Sequence, residues 1–233
     1  METLRKGAAR SSPRRVAPQA VLLAFSNPPP GQEDAFNAWY GDEHAPARLT
    51  VPGIFNARRY AAIEDDGPRY MAIYDLEAPT TLERPEYRRL YAEQTPREKT
   101  IMAALPLLDR RVLRVVLDAE PWTEDAPFQM TVSLQPPDGA EDDLVAWYRE
   151  EHIPMLLEVP GWRRIRLCQQ VDGSGPRFTA LHELESPAVF ETEPYRTATS
   201  TPWRNRIIGN VVRRERHVFK LCQTFQRPEW GVP

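Results

Sequence analysis

The chain has 233 residues, 41% of them hydrophobic and 27% charged, with a formal net charge of −3. That length and mixture describe a globular protein of two modules of about 100 residues each. The small net charge argues against nucleic acid or an anionic membrane as partner. No apolar run approaches the roughly 20 residues of a membrane span, and a cytoplasmic protein is expected.

Residues 1–19 are a basic arm containing Ser, Pro and Arg, without apolar periodicity. They are expected to be disordered, although an Arg-rich start also fits an organelle transit peptide. A short apolar strand follows over 22–26, ended by the loop Asn27-Pro28-Pro29-Pro30-Gly31. Glu33 and Asp34 open a helix, where acidic residues suit the positive end of the dipole. On it Phe36, Tyr40 and His44 recur at i, i+4 and i+8, with Trp39 alongside. Pro46 lacks an N–H and clashes with the carbonyl of Asp42, so the helix should kink or loosen at His44. Val51-Pro52-Gly53 closes it. Strands over 54–63 and 69–77, a helical region over 82–105 interrupted near Pro96, and a strand over 111–117 complete a β-α-β-β-α-β module.

A Pro-containing linker, 120–127, leads to the same plan again. Strands are expected over 129–134, 162–171, 177–185 and 216–225. Helices are expected over 141–157 and 191–211, the latter with Pro202 inside. The repetition is also literal. Residues 28–88 align without a gap onto 136–196, with 26 of 61 positions identical, including Trp39-Tyr40, Glu43-His44 and Val51-Pro52-Gly53 against Trp147-Tyr148, Glu151-His152 and Val159-Pro160-Gly161. The chain reads as a tandem duplication: arm 1–19, module 20–119, linker 120–127, module 128–226 and tail 227–233. The fold class expected is α+β, two ferredoxin-like modules packed sheet to sheet as a pseudo-dimeric barrel.

Strand alternation separates the two faces. Leu22, Ala24 and Ser26 align with Met130, Val132 and Leu134 and suit packing under helices. Val21, Leu23 and Phe25 align with Gln129, Thr131 and Ser133 on the opposite face, apolar in one half and hydrogen-bonding in the other. Cys168 and Cys222 both lie in the second half, form no repeated framework, and are expected as free, mostly buried thiols.

Trp-Tyr-x-x-Glu-His-x-Pro followed by Val-Pro-Gly, in such a module, resembles the dimeric α+β barrel superfamily, and EthD-like proteins within it. The resemblance covers roughly 20–118 and 128–226. It implies a small apolar or aromatic ligand held between sheet and helices, and assigns an acid/base role to His44 and His152. It spans cofactor-independent monooxygenases, isomerases, cyclases, dehydratases, haem proteins and stress-response barrels.

Histidine suits proton transfer because both of its forms are accessible near neutrality. His44 and His152 are the candidate catalytic residues; bracing a Pro-kinked helix end is the other reading. Glu43 and Glu151, adjacent in sequence, point about 100° away and are not expected to pair with them. Tyr74 and His182, equivalent on the third strands, are candidates to donate to a substrate oxygen. Phe25, Thr131, Ser133, Trp39, Trp147, Tyr87 and Tyr195 are candidate pocket residues, with core packing as the alternative. Arg58 and Arg166 read as an exposed strand face or as a carboxylate clamp. No metal-ligand spacing, phosphate loop or nucleophile signature is present, so neither metal nor cofactor is expected.

Arg48, Arg59, Tyr60 and Asn37 become Leu156, Leu167, Cys168 and Val145 in the second half, so one active cavity is expected rather than two. The reading is an enzyme of isomerase, cyclase or dehydratase type acting on a hydrophobic, aromatic or polyketide-like molecule. A cofactor-free monooxygenase and a non-catalytic binding or stress-response barrel are the alternatives. The pseudo-dimer lies within one chain, with further oligomerisation left open.

Overall fold

The β-branched and aromatic alternation along the chain produces eight strands, and these close on one another. A computed structural model describes residues 17–119 and 125–227; expectations for 1–16, 120–124 and 228–233 lie outside them. The first half runs β1 (Ala20–Asn27), α1 (Glu33–Trp39), a π-helical turn (Tyr40–His44), α2 (Ala45–Leu49), β2 (Ile54–Ala62) and β3 (Tyr70–Leu76). A 3-10 turn (Pro79–Glu83), α3 (Pro85–Ala92), α4 (Pro96–Ala104) and β4 (Leu107–Ala119) complete it. The second half has the same order: β5 (Phe128–Gln135), α5 (Glu141–Trp147), a π turn (Tyr148–His152), α6 (Ile153–Leu157), β6 (Trp162–Asp172) and β7 (Phe178–Leu184). It ends with a 3-10 turn (Pro187–Glu191), α7 (Glu193–Ala198), α8 (Pro202–Asn210) and β8 (Arg213–Gln226).

Two expected helices are therefore each split in two. Pro96 and Pro202 do not sit inside a helix; each occupies the first turn of a new one, where a missing N–H costs nothing. Thr95 and Thr201 cap these helices, accepting from the backbone N–H groups of Glu98 and Arg204. The last strand of each half is longer than expected, reaching Ala119 and Gln226.

The sheets do more than face each other. Their order is β4-β1-β3-β2 and β8-β5-β7-β6, and the edges pair antiparallel, β2 with β8 and β4 with β6, sealing a closed eight-stranded barrel. Closure removes the free strand edges that would otherwise template aggregation. Register shifts fall at both seams, between Arg59 and Tyr60 and along Val112–Leu117, where bulges supply the added bend.

Three cores result. Helices of the first half cover Leu22, Ala57, Ala72, Tyr74 and Val112, and helices of the second cover Met130, Val132, Ile165 and Ala180. The barrel interior holds Val21, Leu23, Phe25, Tyr60, Met71, Ile73, Leu113, Cys168, Leu181 and Phe219. The face assignment from β1 and β5 holds: Thr131 and Ser133 also point inward, and Ser133 hydrogen-bonds Thr179 at 2.9 Å.

Arg58 and Arg166 correct the expectation of an exposed strand face. They are buried, 5% and 0% exposed, because both donate to Asp75, at 2.6 Å each. Glu183, the counterpart of Asp75, lies 3.8 Å from each guanidinium. Buried charges persist only when paired in this way.

Both cysteines are free; Cys168 is buried, but Cys222 is exposed. Among the described residues no helix is long and apolar enough to cross a membrane.

Candidate functional site

Pro46 determines how His44 is presented. With no N–H to offer, it cannot continue the ordinary i→i−4 ladder, and the preceding turn widens: the Ala45 N–H reaches back to the Tyr40 carbonyl, five residues away. Pro154 does the same in the second half, where the Ile153 N–H bonds the Tyr148 carbonyl. The loosening expected at His44 is thus a π turn ending on that residue. Gly53 and Gly161 then reverse the chain at φ +87° and +89°, a conformation natural only to glycine.

The π turn aims His44 into a cleft between sheet and helices of about 560 Å³, its open mouth included. Leu22, Ala24 and Ser26 form the floor, and Trp39, Tyr87, Tyr91 and Met102 stand among the walls. The His44 ring packs against Trp39 and Tyr40, with centroids 4.4 and 4.7 Å away, and its Nδ1 lies 3.4 Å from Glu98 Oε1. Arg48 Nη2 donates to the same Glu98 oxygen at 2.9 Å. Tyr40 and Tyr74 share a hydroxyl–hydroxyl hydrogen bond of 2.7 Å beside them. Among the described residues His44 makes no side-chain cap hydrogen bond to α2.

The electrostatics follow from burial. Loss of solvent lowers the His44 pKa to about 4 although Glu98 opposes the shift, leaving the imidazole neutral at pH 7. Facing His44, with Arg48 alongside, Glu98 is held down to about 2 and remains a carboxylate. Burial raises the Tyr40 and Tyr74 hydroxyls, keeping both as protonated donors. A neutral histidine whose Nδ1 faces a carboxylate has Nε2 left as a base. The 3.4 Å separation exceeds a formed hydrogen bond, a distance that tightens when a site fills. Behind this group Arg59 lies over the Tyr40 ring, 4.4 Å from its centroid, and donates to Asn37 at 2.7 Å.

The second cleft, about 410 Å³ with its open mouth included, is lined by His152, His182, Trp147, Tyr148, Trp162 and Tyr195 among others. Its His152 stacks on Trp147 at 4.2 Å but faces no carboxylate among the described residues; burial and then the nearby Arg204 lower its pKa to about 3. Arg204 stands where Glu98 stands in the first half, three residues after the capping threonine.

The candidates are therefore divided three ways. His44, Tyr74, Trp39 and Tyr87 come together in the first cleft, and His152, His182, Trp147 and Tyr195 in the second. Trp39 and Trp147 both pack in the core and line a cleft. Phe25, Thr131 and Ser133 belong to neither: they are inside the barrel, where Phe25 stacks with Phe219 and Arg111 donates to Ser133. Their alternation points away from the helices, whereas both clefts are on the helix side. Glu43 and Glu151 bond Arg97 and Thr201, not the histidines. Glu98 lay outside the motif, while Tyr40, a motif residue, and Arg48, one of the positions that differ between the halves, were not among the candidate site residues. A two-residue shift matching Thr95-Pro96 to Thr201-Pro202 would have exposed the Glu98–Arg204 contrast. Among the described residues no three His, Cys, Asp or Glu side chains converge as a metal site would require.

No protein-family model matches the sequence, and no curated relative matches it. Solved structures do match in shape. An anthrone oxidase-like protein superposes with a TM-score of 0.66 at 14% identity, over 90% of this chain and 93% of its own. A proposed monooxygenase from Fusobacterium nucleatum gives 0.62 at 6% identity, over 91% and 96%. A proposed chlorite dismutase gives 0.55 at 14%, over 88% and 95%. At these identities the likeness is one of fold, and the fold is that of the dimeric α+β barrels, here closed within a single chain.

Proposed function

We propose that the first half is a small-molecule enzyme site that works by general-base catalysis, and that the chain is a fused, duplicated α+β barrel of EthD-like type. The carrying observation is the Glu98–His44 pair beside the Tyr40–Tyr74 hydroxyls in an aromatic cleft, with no counterpart in the second half. His44 Nε2 takes a proton from an acidic C–H or phenolic O–H of an aromatic or polyketide-like compound. The resulting enolate or phenolate oxygen accepts from a Tyr hydroxyl, and Arg48 supplies the nearby positive charge. Glu98 orients the ring and stabilises the imidazolium that forms. Returned to another carbon, the proton completes an isomerisation; given to a β-hydroxyl as its C–O bond breaks, a loss of water; given to the alkoxide formed when the enolate carbon attacks an internal carbonyl, a cyclisation, each without a cofactor.

The same carbanion also reacts with dioxygen. The anthrone oxidase-like and monooxygenase neighbours favour that second outcome.

The test is turnover of a panel of hydroxylated polycyclic ketones, anthrone included, with and without oxygen. His44→Ala should lower kcat about 10²–10⁴-fold, while His152→Ala should not. Full turnover by His44→Ala sinks the proposal. Oxygen-dependent turnover selects the oxygenase outcome, and saturable binding without turnover by the wild type identifies a binding barrel.

A further inference from the structure

The two clefts differ in whether their arginines are paired. The first is lined by Arg48 and Arg110, which meet Glu98 at 2.9 Å and Asp172 at 3.3 Å. The second is lined by Arg204, Arg214 and Arg216 with His152 and His182, and among the described residues by no Asp or Glu. Arg216 is engaged, bonding Glu64 at 3.1 Å and lying over the Phe190 ring. Arg204 has only the side-chain oxygen of Asn205, at 3.3 Å, and Arg214 has no carboxylate partner among the described residues. Two guanidinium groups near each other, without an anion, repel one another.

The floor of the cleft carries a second, independent signal. His182 is 1% exposed, and neither of its ring nitrogens has a hydrogen-bond partner among the described residues. Buried polar atoms are otherwise almost always satisfied, and an orphaned pair on one ring marks a place where a partner is missing. Its neutral ring offers one donor and one acceptor, and a guest hydroxyl, able to give or accept, can pair with whichever nitrogen faces the cleft. The walls are flat and aromatic: Trp162 stacks on Tyr195 at 5.8 Å with an 18° tilt, and His182 meets Trp162 edge-on at 5.4 Å. Planar walls favour a planar guest.

We propose that the second cleft is a binding site for a hydroxylated aromatic carboxylate, held by Arg204 and Arg214 at its mouth, with the ring hydroxyl on His182 at its floor. Arginine is suited to this because its planar fork matches a carboxylate. The duplication has thus separated two tasks: a base-bearing cleft in one half and an anion-binding cleft in the other. The site does not depend on the reaction assigned to His44, since no residue is shared between the two clefts.

Isothermal titration of the full chain with 6-hydroxy-2-naphthoate, and with the neutral 6-hydroxy-2-naphthamide, tests this directly. One-to-one saturable binding of the acid is expected, at least 10-fold tighter than the amide. Arg204→Gln and Arg214→Gln should each weaken it about 10-fold, and Arg48→Leu in the first cleft should leave it within 2-fold. Arg214 is exposed, so its replacement tests the site even if the Arg204 variant folds poorly. The proposal is overturned by absence of saturable binding up to millimolar acid, by equal affinity for acid and amide, or by an unchanged Arg214→Gln. Loss of binding in Arg48→Leu with retention in Arg204→Gln moves the anion to the first cleft and overturns it as well.

Discussion

Glu98 and Arg204 occupy the same place in the two halves: each is the residue whose backbone N–H donates to a capping threonine, Thr95 at 3.0 Å and Thr201 at 3.2 Å. Opposite charges therefore confront two histidines carried on identical π turns. The backbone kept the geometry of the repeat while one side chain changed what the histidine faces.

Replacing Glu98 by Gln checks whether that carboxylate serves His44. Glutamine keeps the length and one acceptor but removes the charge that orients and stabilises the imidazolium. We expect kcat to fall about 10- to 100-fold with KM little changed, less than the loss from removing the base itself. Arg48, 3% exposed, also loses its partner, so unfolding should become easier by about 1–3 kcal/mol. Steady-state kinetics and urea unfolding separate the two. A stability loss with unchanged kcat would make Glu98 a packing residue.

Acid should destabilise the protein earlier than carboxylate titration alone would. His44 and His152 are lowered to about 4 and about 3 in the folded state, against about 6.5 in the unfolded chain. Between those values the unfolded chain binds protons that the folded chain refuses. Stability is therefore fully present above pH 6.5 and is lost as pH falls toward 4 and 3. Each histidine contributes a slope of up to about 1.4 kcal/mol per pH unit in that range. Glu98, lowered to about 2 from 4.5, adds a further loss below pH 4.5. Urea midpoints at pH 7, 6 and 5 should fall in sequence, and His152→Asn should flatten the fall. A flat profile from pH 7 to 5 would contradict the burial of these rings.

The clefts were partly legible from residues alone. His44 and the two Trp-Tyr pairs could be read because identity in two copies and helical spacing both marked them, Tyr74 and His182 because they share one position on the third strands, and Pro46 pointed to a loosened turn through its missing N–H. Glu98 was hidden because the ungapped repeat ends at Arg88, ahead of the two-residue shift that restores the match at Thr95. The barrel interior was hidden for a different reason. A charge on a strand ordinarily signals solvent, and Arg58, Arg166 and Asp75 are buried only because they meet across elements 17 and 91 residues apart in sequence.

Tyr74 offers a test of the oxygen-stabilising role. Tyr74→Phe removes one hydroxyl of the 2.7 Å pair with Tyr40 and leaves the ring in place. If that pair donates to a developing oxyanion, kcat should fall about 10²–10³-fold, with stability lower by about 1 kcal/mol because Tyr40 loses its partner. The matched variant His182→Phe, in the second cleft, should leave kcat unaltered. Equal kinetic effects from both would mean that the two clefts act together.

Asp75 holds the two halves to each other. Its carboxylate accepts from Arg58 in the first half and Arg166 in the second, both at 2.6 Å and both inside the barrel. Those guanidinium groups keep it ionised, well below the usual carboxylate range. Asp75→Asn leaves the two buried cations with carboxylates no nearer than 3.8 Å among the described residues, Glu183 for both and Asp125 for Arg58, and should cost about 3–5 kcal/mol. The exposed pair Arg84–Glu77, by contrast, is worth at most about 1 kcal/mol. Chemical unfolding of Asp75→Asn and Glu77→Gln side by side measures the difference. Replacing Asp75, Glu183, Arg58 and Arg166 together by Leu, Leu, Leu and Met removes two charges and their two counter-charges at once, and should recover much of the loss, since well-packed apolar groups can substitute for a buried ion cluster. If the quadruple variant is no better than Asp75→Asn, the cluster does more than balance its own charges: it sets the register at which the two sheets close.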